Sequence, residues 1–126
     1  SIVQKYQAGL FEDGLTLYGA NLDCLAKHGK LQTLEDALDV FIVNHGLSSI
    51  LNECKSLNKK SAAQKYKNIR RICASPEFRK NIPAVDPEVF DSKQKLLLLL
   101  IRCRLMPAVY GFAALYQKMI EYRMKK

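Results

Sequence analysis

The feature that most limits what this chain can become is the apolar run Leu96 to Ile101. It follows the polar Ser92-Lys93-Gln94-Lys95 and precedes Arg102, Arg104 and a break at Met106-Pro107. A second apolar run, Ala108 to Tyr116, comes after the proline, and the chain closes on Tyr122-Arg123-Met124-Lys125-Lys126. Proline fits a helix only in its first turn, so the two runs read as two helices joined at Pro107. A helix that is apolar on nearly every side belongs inside a protein or a membrane. A membrane span needs about 20 apolar residues without charge, and Arg102, Arg104 and Pro107 interrupt the stretch Leu96 to Tyr116. The leucine run is therefore expected to be enclosed by other helices. It lies in a fourth main helix over about Ser92 to Met106, with a fifth from Pro107.

The earlier sequence supplies those helices. Phe11, Leu15, Tyr18, Leu22 and Leu25 fall on one stripe of a first helix over roughly residues 2–28. Gly9, Gly14 and Gly19 lie within it, each costing about 1 kcal/mol relative to Ala. His28-Gly29 supplies the stop. Thr33 is the expected cap of a second helix, about Leu34 to Leu57, with Glu35 and Asp36 in its first turn. This helix carries two stripes, one through Val40, Val43, Leu47, Ile50, Leu51, Cys54 and Leu57, the other through Leu34, Leu38, Phe41 and Ile42. A helix apolar on two sides has neighbours on both, and Gly46 is a candidate bend. The short connection after Gly29 makes helices one and two an antiparallel pair. Ser61 with Gln64 fits a capping box opening a third helix to Ala74, with Ala62, Tyr66, Ile69 and Cys73 inward. Ser75-Pro76-Glu77 and Asp86-Pro87-Glu88 predict one-turn helices around a loop at Ile82-Pro83. No strand pattern or repeat is present. The expectation is all-α: a single compact bundle of about five main helices with one or two short helical turns, spanning 1–126 as one domain.

Charge is unevenly spread. The net charge is +8 in 126 residues. Residues 1–54 hold three Lys against seven acids, whereas residues 55–80 hold nine Lys or Arg against one acid. Residues 93–126 hold eight cations against one acid. Such a basic half would attract an anionic surface, phospholipid or nucleic acid. Lys65, Lys67, Arg70, Arg71, Arg102, Arg104, Lys118 and Arg123 are the candidate contacts. No aromatic platform interleaves the charges and no tight-turn recognition helix is visible, so nucleic acid is disfavoured.

No constellation carries visible catalysis. The four cysteines, Cys24, Cys54, Cys73 and Cys103, form no CxxC pair, and read as buried free thiols in a reducing compartment. His28 reads as a helix-end cation and His45 as a hydrogen-bonded boundary residue. Glu35, Asp36 and Asp39 share a turn, but a helix N-terminus attracts acids without catalytic purpose. No metal-binding, phosphate-loop, dinucleotide or serine-hydrolase motif is present.

One stretch carries a resemblance. Phe78-Arg79-Lys80-Asn81, a short acidic loop, Ser92-Lys93-Gln94-Lys95-Leu96-Leu97-Leu98-Leu99-Leu100, Leu105-Met106-Pro107, Tyr110 and Leu115-Tyr116-Gln117-Lys118 follow in order. This resembles the C-terminal helical tail of bacterial family-2 glycosyltransferases, and the basic third helix ending in Arg70-Arg71-Ile72 suits the same tail. The resemblance implies that the catalytic α/β domain, with its nucleotide-sugar and divalent metal, belongs to an N-terminal part outside these residues. It implies a C-terminal fragment and carries over no catalytic residue. The expected role is a non-catalytic accessory domain, cytoplasmic or peripheral on the inner face of the plasma membrane. Its expected partners are its own catalytic domain and an anionic membrane surface. An apolar patch meant for that domain would also offer a homodimer surface. The alternative is a free-standing basic helical adaptor binding protein or nucleic acid.

Overall fold

Two helices laid side by side set the frame, and the rest of the chain packs around the second. The computed structural model describes residues 6–29 and 31–125, without the side chains at 31–33 and 125. Among these residues the elements are α1 (Leu10–Lys27), α2 (Leu31–Glu53), α3 (Ala62–Ala74), a one-turn α4 (Pro76–Arg79), a 3-10 turn (Pro87–Val89), α5 (Ser92–Arg102) and α6 (Met106–Lys125). The fold is all-α, with five long helices, a one-turn helix at Pro76 and no strand among the described residues.

The centre is α2, not the leucine run. It contacts each of the other five helices, and Ile42, Val43, Leu47 and Ile50 are fully buried along it. The two stripes read in its sequence thus meet neighbours on both sides, except at their ends, where Leu34 and Leu57 are exposed. By contrast α5 is buried only through Leu97, Leu98 and Ile101. Leu96 and Leu99 are 41% and 55% exposed, so the run is half covered, not enclosed. An unbroken apolar run hides which of its faces is outward. Here α2 and α6 cover one side, and among the described residues nothing covers Leu96 and Leu99 on the other.

Helix ends differ from expectation where long-range contacts intervene. α1 begins at Leu10 because Gly9 takes the left-handed conformation, φ 73°, and stops at His28 and Gly29 (φ 68°) as its sequence predicts. Residues 2–5 of the expected first helix lie outside the described residues. The segment before α1 is tied to α2. The Gln7 amide donates to Asn52 Oδ1 at 2.9 Å, and Asn52 Nδ2 donates back to the Gln7 carbonyl at 2.8 Å. α2 starts earlier than predicted, so Thr33 lies inside it rather than capping it, and Glu35 and Asp36 fall in its second turn. It also ends earlier, at Glu53, leaving Leu57 exposed in the following loop.

Ser61 caps α3 by accepting from the Gln64 amide at 3.2 Å. On α3, Ile69 and Ile72 are buried, Tyr66 and Cys73 are half-buried, and Ala62 is exposed instead of inward. A reciprocal capping box occurs at Asp91, which accepts from the Gln94 amide while Gln94 Oε1 accepts from the Asp91 amide.

Two helical glycines work by absence of a side chain. A Cβ on Gly14 would strike the His45 ring, and one on Gly46 would strike the Phe78 ring. His45 sits near Phe11 and Phe41, and Phe78 meets Phe11 edge-on at 6.4 Å. His45 Nε2 donates to the Leu10 carbonyl. Gly46 is thus a contact point for α4.

The α5–α6 connection is the tightest corner. The Arg104 amide donates to the Ile101 carbonyl and the Leu105 amide to the Leu100 carbonyl. This is the Schellman pattern, whose left-handed residue is usually glycine. Here it is Arg104, at φ 58°. An L-residue in that region costs roughly 1–2 kcal/mol.

Candidate functional site

α3, α4 and the α5–α6 corner converge on a cleft of about 630 Å³. Arg70 comes from α3, Arg79 from α4, Arg102 from the last turn of α5 and Arg104 from the corner. Its apolar lining includes Ile82, Ile101 and Met106, with Cys73 beside them, and no Asp or Glu lines it. Glu77, the acid of α4, accepts from Ser75 Oγ at 2.9 Å.

The arginines are held in different ways. Arg102 donates from Nε and Nη2 to the Ile82 carbonyl, at 3.1 and 2.8 Å, and from Nη2 to the Val85 carbonyl at 2.8 Å. Those bonds fix its guanidinium and pin the 82–85 loop over α5. They leave Nη1 out. Arg70 lies 5.8 Å from the Tyr66 ring centroid, in cation–π range. Burial pushes the Cys73 thiol up to about 12, so it is a neutral apolar surface and not a nucleophile.

Of the cations singled out in the sequence, Arg70, Arg102 and Arg104 meet here, joined by Arg79. The others lie apart. Arg71 pairs with Glu12 at 2.8 Å, an exposed contact of little energetic weight. Lys67 is exposed on α3 and Lys65 is half-buried there, while Lys118 and Arg123 are exposed on α6. Arg79 was not among those candidates, because a four-residue helix has no periodicity to orient it.

A second polar cluster was also missed. The buried Glu53 accepts from Tyr6 Oη at 3.3 Å, Asn68 Nδ2 at 3.0 Å and Asn58 Nδ2 at 3.4 Å. Lys60 Nζ donates to Tyr6 Oη at 3.0 Å. Neutral donors surround the carboxylate, which locks the segment before α1 and the α2–α3 loop to the end of α2. Its geometry is that of a joint.

The remaining candidates are settled by placement. Cys54 and Cys73 are half-buried, and Cys24 and Cys103 are exposed, so the four free thiols are not the buried set the sequence suggested. Burial raises the Asp39 carboxyl, Glu35 and Asp36 add to the effect, and Lys80 opposes it. No group of His, Cys, Asp and Glu among the described residues could hold a metal ion. No described helix is long and apolar enough to cross a membrane. On α6, Leu115, Met119 and Tyr122 form an exposed stripe at i, i+4 and i+7.

No protein-family model matches the chain, and no solved structure matches it. Over 125 residues, 99% of this chain, it is 40% identical to a Bacillus subtilis (strain 168) protein named as a glycosyltransferase, EpsH. The chain is similar to part of that protein. It spans only 36% of the relative's length.

Proposed function

We infer that this chain is the non-catalytic accessory region of a family-2 glycosyltransferase serving bacterial polysaccharide assembly. The observation that carries the reading is the extent of the match, which takes in nearly all of this chain but little more than a third of the relative. Sugar transfer from a nucleotide-sugar to a glycan or lipid-linked acceptor, with any divalent metal, then belongs to the larger remainder. The region's own contribution is docking. Leu115, Met119 and Tyr122 on α6 give the remainder an apolar stripe to cover, and the basic surface faces anionic lipid on the cytoplasmic side of the membrane.

The reading frame upstream of Ser1 is the first test. An α/β domain of ~200 residues there, an ordinary domain size, is the expected finding, and an initiator Met beside Ser1 removes the proposal. In the whole polypeptide, Leu115→Glu with Met119→Glu should reduce sugar transfer while the 126-residue chain keeps its helicity. Transfer from a nucleotide-sugar by the 126-residue chain alone would refute the non-catalytic role. A free-standing adaptor would show neither an upstream domain nor any dependence of transfer on α6.

A further inference from the structure

We propose that the arginine cleft between α3, α4 and the α5–α6 corner binds a phosphate monoester carried on an apolar chain. The cleft is lined by four arginines, one of them, Arg102, with Nε and Nη2 already bonded to loop carbonyls, together with apolar side chains and no carboxylate. A phosphate monoester carries close to two negative charges and three acceptor oxygens, and guanidinium groups bind such oxygens in paired hydrogen bonds. A single carboxylate or a phosphodiester carries one charge and leaves most of this field unused. The volume, about 630 Å³, exceeds what a phosphate fills. The excess is faced by Ile82 and Met106, which suit the methylenes next to the headgroup.

A simpler account exists for part of the site. Arg79 and Arg102 lie in the last turns of α4 and α5, where cations complement a helix dipole. That account does not reach Arg104, which stands past the end of α5 with a left-handed backbone. Glycine satisfies that corner without strain. Strained backbone retained at a cleft points to a use for the side chain. Arg102 adds preorganisation, because its carbonyl bonds orient the guanidinium before any ligand arrives.

The test uses the 126-residue chain with three probes: inorganic phosphate, octyl phosphate and mixed vesicles. The vesicles carry phosphatidic acid or phosphatidylglycerol in phosphatidylcholine at matched surface charge. Octyl phosphate should bind about tenfold or more tightly than inorganic phosphate, since the alkyl chain adds apolar burial. Vesicles with the monoester lipid should co-sediment more chain than those with the diester. Arg104→Gly should lower octyl phosphate affinity about tenfold, the loss expected for a hydrogen bond to a charged group. Its melting temperature should not fall, because the corner accepts glycine. Arg79→Gln should weaken binding similarly, and Lys118→Gln with Arg123→Gln should leave it unchanged. Equal binding of phosphate and octyl phosphate, or wild-type affinity in Arg104→Gly, overturns the proposal. So does co-sedimentation that follows vesicle charge regardless of headgroup, or an equal loss in the α6 variant. None of these outcomes bears on whether the chain belongs to a glycosyltransferase.

Discussion

Gly46→Ala in α2 should destabilise the fold, although alanine is the better helix former. The substitution gains about 1 kcal/mol of helix propensity. Against that, the new methyl would occupy space already filled by the Phe78 ring, which is fully buried and braced edge-on against Phe11. Overpacking of this kind costs about 1–3 kcal/mol, and expelling a buried phenylalanine costs about 3–5 kcal/mol. A methyl placed against two carbons of that ring displaces it, so subtracting the propensity gain leaves a net loss of about 2–4 kcal/mol. Urea unfolding followed by far-ultraviolet circular dichroism measures it directly. Gly111→Ala is the internal control, because no atom lies near its Cβ position and the site is exposed within α6. It should gain about 0.5–1 kcal/mol. In a Phe78→Ala background the Gly46→Ala penalty should vanish, since the collision partner is gone. An undiminished penalty in that background, or a Gly46→Ala chain as stable as wild type, would refute the packing argument.

Other expectations follow from the caps, the joint and the thiols. Burial would raise the Asp91 carboxyl, but its hydrogen bonds from Lys93 and the Gln94 amide outweigh that and hold it below the ordinary range. Its contribution is therefore complete above the unfolded value, about 3.9, and fades as pH falls through the lower folded value. Asp91→Ala should cost about 1 kcal/mol at neutral pH, with the gap to wild type narrowing below pH ~4 in thermal melts. Glu53→Ala removes the acceptor shared by Tyr6, Asn58 and Asn68 and should cost about 2–3 kcal/mol. Chemical denaturation checks that, and a loss under 0.5 kcal/mol, the level of an ordinary surface change, would contradict the joint. Burial raises Cys54 to about 11 and Cys73 to about 12. Mass spectrometry after brief alkylation at mildly alkaline pH should find Cys24 and Cys103 modified first.

The stripes of α1 and α2 and the Pro76 and Pro87 turns were legible because each rests on local spacing or on a residue's fixed backbone. The errors have non-local causes. Residues 6–9 leave the helix because Asn52, far along the chain, takes the Gln7 backbone. Leu96 and Leu99 face outward because no described element packs over them, which a continuous apolar run cannot disclose. The cleft gathers Arg70 from α3 and Arg104 from the corner after α5, and no period links them. Its corner was concealed as well, since an arginine stands where a glycine would have announced the turn.

The position of α2 also governs how the molecule opens. Every other helix leans on it, so the amides of Ile42 to Leu51 can exchange with solvent only when the whole assembly comes apart. The stretch from Pro83 to Val89 is tied to α5 by the Arg102 bond to the Val85 carbonyl, the exposed Lys95–Glu88 pair and the buried Val85 side chain, few enough contacts to open before the core does. Deuterium uptake and proteolytic nicking should therefore begin there and reach the central helix last.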